Sequence, residues 1–129
     1  MNGEYLLDTN IVIALFNGER DVLNRLRSRP TVFVSVAAIG ELYHGAFKSA
    51  KVNENLLRVR DFASENAVLD VTAEIAYEFG SIKDQLRRKG RPIPTNDLWI
   101  AATARQFGLV LVTRDVHFSS IDGLDVERW

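Results

Sequence analysis

Three short apolar runs set the limits on what this chain can fold into: YLL at residues 5–7, VFV at 32–34 and VLV at 110–112. Each ends on a polar side chain, Asp8, Ser35 and Thr113 in turn. Runs this short, bounded in this way, read as strands of a parallel sheet buried on both faces. The intervening apolar periodicity is helical over roughly 10–17, 20–28, 36–49, 52–64, 72–89 and 96–107, with Gly18, Gly90 and Gly108 as stops. Residues 67–71 (AVLDV) and 124–127 (LDVE) complete a sheet of about five strands. Strand and helix alternate, which predicts an α/β fold: one domain over 1–129, its mostly parallel sheet flanked by helices.

Composition narrows the chemistry. A chain of 129 residues buries about two-thirds of its unfolded surface and needs no disulfide or structural metal to fold. It contains no cysteine, so thiolate catalysis and cysteine zinc sites are excluded and a reducing compartment is permitted. No apolar run approaches the ~20 residues that span a bilayer, and the opening MNGEYLLDTN has neither a basic segment nor a cleavage site. The sequence therefore reads as cytoplasmic, without a membrane partner. Any catalysis falls to carboxylates, hydroxyls, amides or the two histidines.

In an open parallel sheet, ligands bind beyond the carboxyl ends of the strands, where strand order reverses. Asp8 follows YLL and precedes Thr9 and Asn10; Ser35 opens the helix that carries Glu41; Thr113, Arg114 and Asp115 follow VLV. Asp97 starts the helix that leads through Gly108 into VLV, and it shares a face with Ile100, Ala101 and Ala104. Glu41 lies off the stripe of Ile39, Leu42, Tyr43 and Ala46, with Ala37, Ala38 and Gly45 as small neighbours.

Each acid has an ordinary role open to it. Asp8 can cap a helix, Glu41 can sit on an exposed face, Asp97 can complement a helix dipole, and Asp115 can shape a turn. Together, at one edge of the sheet, they would repel one another without a compensating charge. Hard divalent cations with oxygen ligands supply it; Mg²⁺ suits such a set and Mn²⁺ can substitute. His44 and His117 lack metal-ligand spacing and read as surface or packing residues. An all-oxygen cluster of this kind suits phosphodiester hydrolysis by activated water.

The segments LLDTNIVIALF, ELYHG, TNDLWIAATA and LVTRDVHF resemble the motifs of the PIN-domain nucleases, in particular the VapC-type toxins of bacterial toxin–antitoxin pairs. Singly each motif is weak; together they cover nearly the whole chain in the family's order. The resemblance implies that Asp8, Glu41, Asp97 and Asp115 form an acidic quartet holding Mg²⁺ or Mn²⁺, with Asn10, Asn96 and Thr113 as polar support. It also implies a homodimer, an endoribonuclease acting on RNA, and a VapB-type antitoxin whose tail occupies the active-site groove. The alternative is a non-catalytic module of the same fold that binds RNA or protein. A receiver-like phosphoacceptor domain fits less well, because DTN offers one acid and VFVS ends in none.

Sixteen basic residues balance 17 acidic ones, and setting the four acids aside leaves the remainder modestly basic. Arg87, Arg88, Lys89 and Arg91 precede the Asp97 helix and are candidates for RNA phosphate contacts, although cations at a helix end also complement its dipole. The run Arg20, Arg25, Arg27 and Arg29 reads as a helix exterior. Most aromatic residues sit at core spacing. Trp99 lies off the Asp97 face, where it could serve a dimer or antitoxin contact or pack on a neighbouring helix.

Overall fold

The computed structural model describes residues 3–129. The expected domain span of 1–129 begins at Met1 and Asn2, which lie outside the described residues. The elements run β1 (Glu4–Leu7), α1 (Thr9–Phe16), α2 (Arg20–Arg27), β2 (Thr31–Ser35), α3 (Val36–Phe47), α4 (Val52–Glu65), β3 (Ala67–Leu69), α5 (Ala73–Lys89), α6 (Thr95–Phe107), β4 (Val110–Val112) and β5 (Val126–Glu127), with a 3-10 turn at Val116–Ser120. The five strands form one sheet in the order β3-β2-β1-β4-β5, and every pair is parallel. The expected α/β architecture is present.

Register explains where the strands stop. β3 ends at Leu69 because its partner β2 ends at Ser35, the last pair of that ladder, so the expected strand over 67–71 is cut short at Asp70. The expected 124–127 strand shrinks likewise to Val126 and Glu127, which pair with Leu111 and Val112. Gly123, at φ 76, turns the chain just before it.

Helix ends follow local chemistry. Asp8, Ser35 and Thr72 cap α1, α3 and α5 through their side-chain oxygens. Gly90 and Gly108 end α5 and α6 at φ 67 and 64, a left-handed conformation that costs a residue without Cβ nothing.

Leu6, Leu7, Ile11, Val12, Leu111 and Val112 are almost fully buried and form the centre of the core. Ala101, Ala102 and Ala104 are equally buried; their small side chains let α6 come close to its neighbours. The helix α5 packs along α6, α3 along α4, and α3 also touches α1 and α6. Trp99 belongs to this packing: its ring stacks on Phe79 of α5 at 3.9 Å between centroids, 23° from parallel. Glu78 and Arg105 add an ion pair at 2.6 Å across the same helix pair. Among the described residues no helix is long and apolar enough to cross a membrane.

Candidate active site

Chain order moves outward from β1 through β2 to β3, then returns to the other side of β1 with β4. The switch point therefore lies between β1 and β4. Leu7 pairs with Val112 in the last rung of that ladder, so Asp8 and Thr113 emerge side by side at its carboxyl end. The Asp8 N–H closes the ladder on the Val112 carbonyl at 2.9 Å.

Both oxygens of the Asp8 carboxylate are engaged. Oδ1 accepts the Thr9 N–H at 2.8 Å and Oδ2 accepts the Thr113 hydroxyl at 2.7 Å. The side chain is 4% exposed. Burial pushes its pKa above the ordinary value against those two hydrogen bonds, and the charges of Glu41 and Asp115 push the same way.

Thr113 organises the adjacent turn. Its hydroxyl accepts the Asp115 N–H at 3.0 Å and, at the outer limit of 3.5 Å, the Asn10 amide. Asn10 returns the link by accepting the Arg114 N–H at 3.4 Å. Asp115 caps the 3-10 turn through the His117 N–H at 2.9 Å, and the same oxygen lies 2.9 Å from His117 Nδ1. Glu41 reaches the cluster from α3, where its Oε1 accepts the Thr9 hydroxyl at 2.7 Å.

Asp97 enters from the first turn of α6, half-buried. Its pKa is pushed up to about 6, first by burial and then by the charges of Asp8, Glu41 and Asp115, with His117 acting weakly against them. That dependence joins all four predicted acids in one electrostatic cluster. Among the described residues, however, no three carboxylate or imidazole side chains converge as a ready-made ion cage.

Of the supporting residues, Asn10 and Thr113 join the network as expected, whereas Asn96 is exposed on α6 and outside it. The basic segment is largely engaged elsewhere. Arg87 and Arg88 pair with Asp84 at 2.7 and 3.1 Å, and Lys89 pairs with Asp122 at 2.9 Å while donating to the Ser120 carbonyl at 2.8 Å. Arg91 is exposed in the following loop.

Two participants were not anticipated. Thr9 was visible only as a neighbour of Asp8; its bond to Glu41 spans 32 positions and depends on the α1–α3 contact. His117, read from sequence as a surface or packing residue, is exposed as expected but faces Asp115 two positions earlier.

The profile of the PIN domain matches residues 5–124, a span that includes all four acids. Ribonuclease VapC2 of Haemophilus influenzae is 37% identical over 129 residues, covering 98% of each chain. The tRNA(fMet)-specific endonuclease VapC of Shigella flexneri is 36% identical with the same coverage. The chain belongs to the PIN-domain family, in its VapC group. Its fold superposes on that of DNA-bound VapBC from Salmonella typhimurium with a TM-score of 0.91, at 33% identity, over 100% of this chain and 99% of that one. Within this VapC-type fold, Asp8, Asp97 and Asp115 stand at strand or helix ends around the β1/β4 switch, and Glu41 reaches in from the side of α3.

Proposed function

We propose that this VapC-type PIN domain is a metal-dependent endoribonuclease, the toxin of a toxin–antitoxin pair. The observation that carries the reading is the gathering of acids at the strand-order switch, where Thr113 links Asp8 to Asp115, Thr9 links Asp8 to Glu41, and Asp97 feels all three charges. Four carboxylates gathered this way, with the pKa of Asp8 and of Asp97 raised by burial and by neighbouring charges, are expensive to hold together unless a cation compensates them. Relatives over 98% of the chain, named as ribonucleases and a tRNA endonuclease, support RNA as the substrate.

The donor set fits Mg²⁺ or Mn²⁺. It offers carboxylate and hydroxyl oxygens, no thiolate, and one histidine already turned toward a carboxylate. Asp8, Asp97 and Asp115, with Glu41, would hold the ion. Once bound, a divalent cation supplies acidity for the attacking water and positive charge for the leaving oxygen.

The protein's own groups do the positioning. Thr113 and the Thr9 N–H fix both oxygens of Asp8, so its carboxylate is presented in one orientation. The Thr9 hydroxyl ties Glu41 to the residue that follows Asp8. Asp97, its pKa pushed up to about 6, is mostly ionised at neutral pH, and bound positive charge would hold it in that form. Asp115 is held at the start of the 3-10 turn by its bonds to Thr113 and His117.

The proposal extends to partners. Solved neighbours are VapBC complexes from Salmonella typhimurium and Rickettsia felis, which supports a VapB-type antitoxin for this chain. A second copy of the chain, as expected for the family, and a cytoplasmic site of action complete the reading.

The test is incubation of purified protein with total RNA and Mg²⁺, with chelator and Asp8→Asn controls. Cleavage that leaves 5′-phosphate and 3′-hydroxyl ends is expected, because water rather than the ribose 2′-hydroxyl attacks. Chelator-resistant cutting with 5′-hydroxyl ends overturns the mechanism, and a folded, Mg²⁺-supplied wild type that cuts no RNA favours a binding module.

A further inference from the structure

β4 ends at Val112, and beyond the Thr113 N–H, which still bonds the Glu127 carbonyl of β5 at 3.0 Å, the chain leaves the sheet with Asp115 on it. Arg114 lies between Thr113 and Asp115. Its guanidinium turns away from the acidic cluster: one terminal nitrogen, NH1, pairs with Glu19 Oε1 at 2.9 Å, and Nε donates to the Trp129 carbonyl at 3.1 Å. Only a quarter of the side chain is exposed. Its backbone is tied as well, the N–H to Asn10 Oδ1 at 3.4 Å and the carbonyl to the Arg128 guanidinium at 3.0 Å.

Both side-chain anchors are themselves fixed. Glu19 stands at the N-cap position of α2, and its N–H is bound to the Ala14 carbonyl at 3.0 Å, which attaches it to the end of α1. Trp129 is buried, packs edge-on against Tyr5 of β1 at 5.3 Å, and donates its indole N–H to Glu127 of β5 at 2.9 Å. The Asp115 segment is thus braced from the α1–α2 turn on one side and from the segment after β5 on the other.

We infer that Arg114 is a positioning residue: by spanning Glu19 and Trp129 it holds Thr113 and Asp115, and through Thr113 the carboxylate of Asp8, in the arrangement that RNA cleavage requires. The inference rests on the ribonuclease reading above. A planar guanidinium with donors in a fixed fork can satisfy two acceptors at a set angle, which a flexible ammonium cannot. Displacing a reacting group by about 1 Å costs on the order of 10²-fold in rate, so a brace can govern catalysis while adding little to overall stability.

The experiment compares wild type, Arg114→Gln, Arg114→Lys, Glu19→Gln and the Glu19→Gln/Arg114→Gln double variant. The readouts are kcat and KM for RNA cleavage, thermal midpoint, and the Mn²⁺ concentration that half-saturates the midpoint rise. Arg114→Gln should lower kcat by about 10- to 100-fold, with KM within about twofold and the metal-free midpoint nearly unchanged. Arg114→Lys should recover part of that loss by keeping the Glu19 pair, and the double variant should be no worse than Arg114→Gln. Half-saturation by Mn²⁺ should shift to higher concentration in Arg114→Gln.

An unchanged kcat overturns the inference, as do additive losses in the double variant. A raised KM with altered salt dependence and normal kcat would instead make Arg114 a phosphate contact. If wild type cuts no RNA, the ribonuclease reading fails by itself; the Mn²⁺ titration then decides, and equal half-saturation in wild type and Arg114→Gln overturns the positioning role.

Discussion

Asp8 commits both carboxylate oxygens to hydrogen bonds at 2.8 and 2.7 Å, whereas burial and the charges around it dominate the environment of Asp97. One sits at the end of a central strand and the other in the first turn of a helix, yet the charge of Asp8 is felt at Asp97. The strand-borne half of the site, Asp8 with Thr113 and Asp115, is preorganised by a network that includes backbone N–H groups. The helix-borne half rests on the packing of α6, and the protonation of half-buried Asp97 answers to the charges around it. A cleft built this way has one rigid wall and one responsive wall.

The largest effect should come from the rigid wall. Asp8→Asn keeps an oxygen for the Thr9 N–H but removes the central charge, so cleavage should fall by about 10³-fold or more while the fold survives. Circular dichroism and a thermal scan check the fold; a gel assay on RNA checks the activity. Wild-type cutting by Asp8→Asn would place the chemistry elsewhere. In the variant Thr113 loses its charged acceptor, a cost of about 1–3 kcal/mol, partly offset because a buried charge has also gone.

Next in size is the response to metal. Ligand at a hundredfold excess over its dissociation constant stabilises a fold by about 2.7 kcal/mol, which for a domain of this length raises the midpoint by about 8–14 °C. Mg²⁺ or Mn²⁺ should produce that rise in wild type and a clearly smaller one in Asp97→Asn. Equal shifts would show that Asp97 is not a ligand and that the responsive wall has another purpose.

Protons test the same wall at a smaller scale. Asp97 has a folded-state pKa of about 6 against an ordinary value of 3.8, so between those two values the folded protein binds the proton more tightly than the unfolded chain. Its contribution therefore favours the fold as pH drops through about 6 toward 4 and is lost as pH rises above 6. With solvent screening of a half-exposed group, the change is roughly 1 kcal/mol, or about 3–5 °C in midpoint, for metal-free protein between pH 7.5 and 5. Thermal scans of wild type and Asp97→Asn across that range should lie furthest apart at neutral pH, where the variant is the more stable, and draw closer toward pH 5. Parallel curves would remove Asp97 from the coupled cluster.

The same contrast explains what could be read without a structure. YLLD, VFVS and VLVT gave the central strands and the edge at which chemistry sits, because buried parallel strands leave an unmistakable apolar run with a polar terminus. The four acids were legible because each stands at a strand or helix end, or beside small residues that leave it room. Partners were not. The Thr9–Glu41 bond and the Arg114 brace link positions 32 and 95 apart in sequence, and such pairs exist only once the strand order is known. The lengths of β3 and β5 were overestimated for a related reason: a strand extends only as far as its neighbour offers a ladder.

The smallest effect expected is at the basic segment, where sequence and structure diverge. Arg87, Arg88, Lys89 and Arg91 form a run suited to phosphates, but the Asp84 carboxylate accepts from Arg87 at 2.7 Å and lies 3.1 Å from Arg88, and Arg87 holds its pKa below the ordinary range. Lys89 is occupied by Asp122 and the Ser120 carbonyl. To reach RNA, the two arginines would have to exchange one anion for another, which yields little net free energy at an exposed position. Arg87→Gln and Arg88→Gln should each change kcat/KM by less than about twofold and leave the salt dependence of cleavage nearly as steep. Asp84→Asn sharpens the comparison by freeing both arginines: if they are competent to bind phosphate, KM should fall and its salt dependence steepen in that variant alone. A tenfold loss of kcat/KM in Arg87→Gln would mean instead that the Asp84 pair opens on RNA binding, and that the segment is a substrate contact held in reserve by its own carboxylate.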